Sequence, residues 1–268
     1  MKLGCCTNLL AKGDDKIGIE RVELIAKTGF DYVELPLACV MELSEADFDR
    51  LRARLDRAGI PASVCCNLFP ASVRVTGHNA NEANIRAYLE KAFARAKKLG
   101  TSVIVFGSSG ARNVEEGFRY DIAMLQILKA LHIMNDCAYD GLKVVIEHIC
   151  RREGNIIYTV KEGCMINDVI RLENIRVLAD TYHMFVENEP LENIYLAGKS
   201  LTHVHTASPI GRVYPYPGDG AEHEKLFKIL SIMNYNGGVS IEGYSENPEH
   251  DVPVAYEFFK EIMRKNDQ

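Results

Sequence analysis

The chain has 268 residues, 47% of them apolar and 25% charged, the balance of an ordinary globular protein able to bury a sizeable core. A net charge of -6 opposes a broad electrostatic grip on a phosphate backbone, so nucleic acid is not an expected partner. No apolar run approaches the roughly 20 residues that span a bilayer, and the eight cysteines form no CxxC pair, so they are expected to be reduced and mostly buried. One domain over residues 1–268 and a cytoplasmic location are the corresponding expectations.

In chain order, the first apolar runs are "KLGCCT" (residues 2–7) and "YVELP" (32–36). A helix signal follows, in which Ser44 and Asp47 form a capping-box pattern, Phe48, Leu51 and Leu55 share a face, and Gly59 is a stop. The run "ASVCCN" (62–67) leads into a long loop, "FPASVRVTGHNAN" (69–81), expected to cover part of the site. Ile85, Leu89, Ala92, Phe93, Ala96 and Leu99 then form a second stripe closed by Gly100. The remaining runs are "SVIVFG" (102–107), "KVVIEHI" (143–149), "RVLADTYHM" (176–184), "LTHVHTA" (201–207) and "GVSIEGY" (238–244). Leu226, Ile229, Leu230 and Met233 make a third stripe, and Val254, Phe258 and Ile262 a fourth.

Short apolar strands that alternate with amphipathic helices about eight times predict a (β/α)8 TIM barrel, with every strand covered on both faces. A doubly wound open sheet is the alternative, weakened because no GxGxxG follows the first strand and no Walker sequence occurs.

Four late strands carry polar residues at or near their C-terminal ends: Glu147, Asp180, the pair His203 and His205, and Glu242. In a barrel that end bears the active site, so these side chains are expected to converge. Three converging carboxylates repel one another and pay for desolvation, and a divalent cation removes both difficulties. Three carboxylates with one imidazole suit Mn2+ first, with Mg2+, Co2+ or Zn2+ as alternatives. His203 and His205 are expected to face opposite ways, one a structural histidine; His205 is assigned to the site because it lies nearer the strand end. Cys66, Asn67 and Phe106, also at strand ends, are read as core packing.

"IEHICRREGN" resembles the E-P-x-N-R-x-E-x-N segment of the sugar phosphate isomerase/epimerase family, the xylose isomerase-like barrels, through Glu147, Arg151, Glu153 and Asn155. "ADTYHM" is similar to that family's D-x-x-H-M, "HVHTASPIGRVYPYPGDG" to its H-x-H segment with a following arginine and glycine-rich loop, and "VSIEGY" to its last strand. The resemblance implies that Glu147, Asp180, His205 and Glu242 bind the metal. In the ketose 3-epimerase branch it further implies that Glu147 and Glu242 do the chemistry, while Glu153, His183 and Arg212 hold substrate hydroxyls. His148 stands where the motif has proline and Cys150 where it often has asparagine, and the spacing from His205 to Arg212 is longer than in the epimerases by about one residue.

The expected chemistry is removal of a proton beside a carbonyl, giving an enediolate that a cation stabilises. One glutamate takes the proton, and a second on the opposite face returns one, inverting the carbon. The expected partner is a small sugar or polyol, and homo-oligomerisation is compatible with the sequence. Other carbonyl chemistry of the family, as in inosose dehydratase and hydroxypyruvate isomerase, is the nearest alternative. The family's AP endonuclease branch adds histidines on strands 3 and 4 and a D-x-H pair, whereas this chain reads "CCN" and "VFG" there and has Ala221 two positions after Asp219. A non-catalytic sugar-binding relative is disfavoured by the intact ligand set. The acidic "EGYSENPEHD" after the last strand disfavours a phosphate, although "SPIGR" and "GSSGAR" are weak nest candidates.

Overall fold

Each of the eight apolar runs forms a strand, because β-branched side chains suit a sheet buried on both faces. A computed structural model, which describes residues 1–266, places these at β1 (Lys2–Cys6), β2 (Tyr32–Pro36), β3 (Val64–Cys66), β4 (Val103–Phe106), β5 (Lys143–Glu147), β6 (Ile175–Asp180), β7 (Leu201–Thr206) and β8 (Gly238–Ile241). They pair in parallel in sequence order, and Lys2 to Cys5 of β1 close the ring against Gly238 to Ile241 of β8.

Eleven helices surround the ring among the described residues: α1 (Val22–Thr28), α2 (Leu37–Glu42), α3 (Glu45–Ala58), α4 (Glu82–Leu99), α5 (Ser109–Arg112), α6 (Tyr120–Cys137), α7 (Val160–Ile170), α8 (Thr181–Val186), α9 (Ile194–Ala197), α10 (His223–Ile232) and α11 (Pro248–Asn266). Ser44 caps α3 by accepting from the Asp47 N–H, and Gly59 ends the helix in the left-handed region. α4 ends at Gly100 in the same way and buries Ile85, Leu89, Ala92, Phe93 and Ala96.

Two sequence expectations change. In α11 the buried stripe is Val252, Ala255, Phe259 and Ile262, and Val254 points outward at 36% exposure. Adjacent Phe258 and Phe259 offer two stripes through Ile262, and Val252 and Ala255 select the second. The run "RVLADTYHM" is a strand only to Asp180; its last four residues open α8. The Asp180 carboxylate accepts from the Tyr182 N–H at 2.8 Å and the His183 N–H at 3.4 Å, so it starts the helix that ends the strand.

Alternation along the strands divides the side chains. Val144 and Ile146 face the helices, whereas Val145 joins Tyr32, Val64, Cys66, Val105 and Leu178 inside the barrel. Tyr32 can occupy the floor because Gly4 and Gly238 lack side chains, as a Cβ at either would overlap its ring or hydroxyl. Its hydroxyl meets Ser240 Oγ at 2.9 Å. The 69–81 loop docks on α5, with the Val75 N–H to the Ala111 carbonyl and Thr76 Oγ1 to the Arg112 carbonyl, both at 2.9 Å. No described helix is long and apolar enough to cross a membrane.

Candidate active site

Above the apolar floor the next inward position on each late strand is polar. Glu147 follows Val145, Asp180 follows Leu178, and Glu242 follows Ser240 just beyond β8. Glu147, Asp180, His205 and Glu242 thereby meet, each offering a ligand atom within 4.8 Å of the others. His205 Nδ1 lies 3.1 Å from Glu147 Oε1 and 3.2 Å from Glu242 Oε2. Gly107 makes this approach feasible, because a Cβ there would overlap the Glu147 carboxylate.

His203 and His205 both face the interior, correcting the expectation that they point opposite ways. Residues two apart on a strand share a face, and both rings donate Nε2–H to one carboxylate, Glu34, at 2.9 Å each. Glu34 lies on β2 with no exposure, and it was not among the residues expected at the site. The signal was present in "YVELP", where a carboxylate interrupts an apolar strand just as Glu147 does. Burial opposes ionisation of Glu34, but His205 and His203 outweigh it and hold the carboxyl well below its ordinary value. Burial likewise opposes the His205 imidazolium, and Glu34 and Glu242 hold its pKa well above the ordinary value.

Asp180 is fixed from several sides. Its N–H donates to His148 Nε2 at 3.1 Å, and His148 Nδ1–H donates to the Tyr158 carbonyl at 3.3 Å. With one ring nitrogen accepting and the other donating, His148 is neutral; burial, aided by nearby His183, pushes its pKa to about 3. The histidine at the motif's proline position thus supports a site strand. His183 Nε2 is 3.5 Å from Asp180 Oδ2. Burial raises the Asp180 pKa, yet His183 and Arg212 outweigh this and leave it at about 2. Burial lowers that of His183, and Asp180 reverses the effect to about 9.

Arg212 reaches over the cluster from the loop after β7. It donates to Glu242 Oε2 at 2.7 Å, Glu153 Oε2 at 3.0 Å and Asp180 Oδ2 at 3.4 Å, and stacks on Tyr182 at 4.8 Å. Its backbone is left-handed, with φ of 50°, a conformation uncommon outside glycine and pinned here by the Tyr244 N–H to its carbonyl at 2.7 Å. All seven residues singled out by the sequence are therefore drawn to one end of the barrel.

The two phosphate-nest candidates have their arginines committed. Arg212 of "SPIGR" serves carboxylates, and Arg112 of "GSSGAR" is 1% exposed, donating to the Phe106 carbonyl at 2.7 Å and the Glu147 carbonyl at 2.6 Å. Cys66 and Phe106 are buried as expected, but Asn67, just beyond β3, is exposed with a left-handed φ of 48°. Arg151 stacks on Tyr158 at 4.0 Å, and Asn155 ties its segment to Val114 at 2.7 and 2.8 Å, so both motif residues build the loop. Asp219 pairs with His223 at 2.9 Å beside α10.

A model of the xylose isomerase-like TIM barrel matches residues 22–262. The chain belongs to this family. It is 28% identical to D-psicose 3-epimerase of Agrobacterium fabrum over 83% of the chain and 78% of that relative. It is 26% identical to ketose 3-epimerase of Arthrobacter globiformis over 92% and 85%. In fold it is similar to D-allulose 3-epimerase of Methylomonas sp., solved with D-allulose, with a TM-score of 0.83, 23% identity and coverage of 98% and 97%. These relatives of the xylose isomerase-like barrel are isomerase-class enzymes.

Proposed function

We propose that the protein is a divalent-metal-dependent ketose 3-epimerase acting on an unphosphorylated sugar through proton transfer beside the carbonyl. The observation that carries this reading is the pair of buried glutamates, Glu147 at the end of β5 and Glu242 just beyond β8, which approach the same His205 nitrogen at 3.1 and 3.2 Å. Two proton-transfer groups in one pocket can remove a proton from one face of a carbon and deliver one to the other.

Glu147, Asp180, His205 and Glu242 would hold the cation, and their donor set, three carboxylates with one imidazole, fits a hard or borderline ion, Mn2+ first. When bound, such an ion supplies the positive charge that stabilises an enediolate. Glu34 keeps Nε2–H of His205 occupied and so presents Nδ1 to the carboxylates. Glu153, His183 and Arg212 would bind sugar hydroxyls, with Arg212 and Glu153 already paired at 3.0 Å at the pocket mouth. The commitment of Arg112 and Arg212 to protein oxygens supports a substrate without phosphate.

Ketohexoses such as D-psicose and D-tagatose, incubated in D2O with the Mn2+-loaded protein, should incorporate deuterium beside the carbonyl. Glu147→Gln and Glu242→Gln should each lower exchange by about 10²- to 10⁴-fold, with circular dichroism unchanged. Full exchange in EDTA-treated protein, or in Glu147→Gln, would sink the proposal.

A further inference from the structure

A second cluster lies beside the first. The Cys150 carbonyl accepts from the Glu153 N–H at 2.9 Å and the Gly154 N–H at 3.0 Å. This tight turn brings the side chains at its two ends to one side of the loop after β5. His183 arrives from the first turn of α8, and Cys150, Glu153 and His183 each offer a ligand atom within 4.8 Å of the others. Cys150 and His183 are buried, while the Glu153 side chain is 40% exposed, so the cluster is open to solvent on one side.

Two details mark it as more than a chance grouping. His183 is 2% exposed, and no oxygen or nitrogen partners its Nδ1; the ring meets only the weakly hydrogen-bonding Cys150 thiol on that side, so an ion shared by the two would satisfy both. Arg212 engages Glu153 through Oε2, which leaves Oε1 for a second partner.

We infer that Cys150, Glu153 and His183 form a separate binding site for a thiophilic divalent cation of the Zn2+ or Cd2+ class. Sulfur, nitrogen and a single carboxylate are the donors that zinc accepts in tetrahedral sites, and three protein ligands leave its fourth position open. The set of Glu147, Asp180, His205 and Glu242 contains no sulfur and selects harder ions. Two adjacent sites thus sort metals by softness. Because Glu153 and His183 are also the residues proposed to hold the sugar, an ion here would exclude substrate; that consequence, unlike the binding itself, rests on the proposed function.

Binding is read without any activity. Protein first saturated with Mn2+ is titrated with Cd2+ while the ultraviolet thiolate-to-metal charge-transfer band is followed. The band should grow to one Cd2+ per chain in the wild type and be absent in Cys150→Ser. Cd2+ that merely displaces Mn2+ from carboxylates and imidazole produces no thiolate band. Glu153→Gln keeps the thiol and should weaken the titration by about tenfold or more, which carries the test should Cys150→Ser not fold. No band in the wild type, the same band in Cys150→Ser, or an unchanged affinity in Glu153→Gln overturns the assignment.

Discussion

The imidazole of His205 can aim only one nitrogen at the four-residue cluster, and Glu34 decides which. By accepting Nε2–H from both His205 and His203 at 2.9 Å, it fixes the tautomer and the ring plane of each. Glu34→Gln keeps the shape but turns one acceptor oxygen into a donor that opposes an imidazole N–H. The expected result is a loss of Mn2+ affinity of about 10- to 100-fold, measured by competition with a chelator, and an unchanged affinity would reduce Glu34 to a packing role. "YVELP" and "VVIEHI" carry the same local signal, a carboxylate in a buried strand. What distinguishes them is the partner, and the partners of Glu34 lie 169 and 171 residues away. The shared face of His203 and His205, by contrast, follows from a period of two alone, and the expectation of opposite faces misapplied that period.

At the scale of an element, Asp180 has two jobs that substitution can separate. It ends β6, its carboxylate caps α8 through the Tyr182 and His183 N–H groups, and its Oδ2 faces Arg212 and His183. Asparagine can cap a helix nearly as well as aspartate but lacks the charge, whereas alanine loses the cap as well, at about 1 kcal/mol. Asp180→Asn should therefore bind Mn2+ far more weakly while keeping most of its stability, and Asp180→Ala should in addition unfold at lower urea. Equal urea midpoints for the two variants would show that the cap contributes nothing. This dual use also explains why the apolar run "RVLADTYHM" reads as one long strand. Asp180 is marked as a polar residue near the strand end, but the residues on both sides of it give no change of period that announces a helix, whereas Ser44 and Asp47 advertise α3 openly by their spacing.

Across the whole molecule, closure of the ring turns four scattered strand ends into one pocket. The alternation of strands and helices made the barrel legible, because each run is apolar on both faces and each helix has one apolar stripe. Contacts through the loops were less so, since Arg212 reaches Glu242, Glu153 and Asp180 from a left-handed backbone position that no periodicity marks. Gathering Glu147, Asp180 and Glu242 with one imidazole concentrates carboxylates where solvent cannot screen them, so the proposed metal binding would be coupled to global stability. A cation that binds only the folded chain stabilises it by about 2.7 kcal/mol when present at 100 times its dissociation constant. For a chain of this length each kcal/mol moves the melting temperature by about 2 to 4 °C, so Mn2+ should raise it by about 5 to 10 °C over EDTA-treated protein. The shift should shrink strongly in Asp180→Asn, which removes one ligand charge without removing the cap. Identical melting temperatures with Mn2+ and with EDTA would mean that the four converging side chains bind no such ion, and Arg212, already 2.7 Å from Glu242, would then be their principal counter-charge.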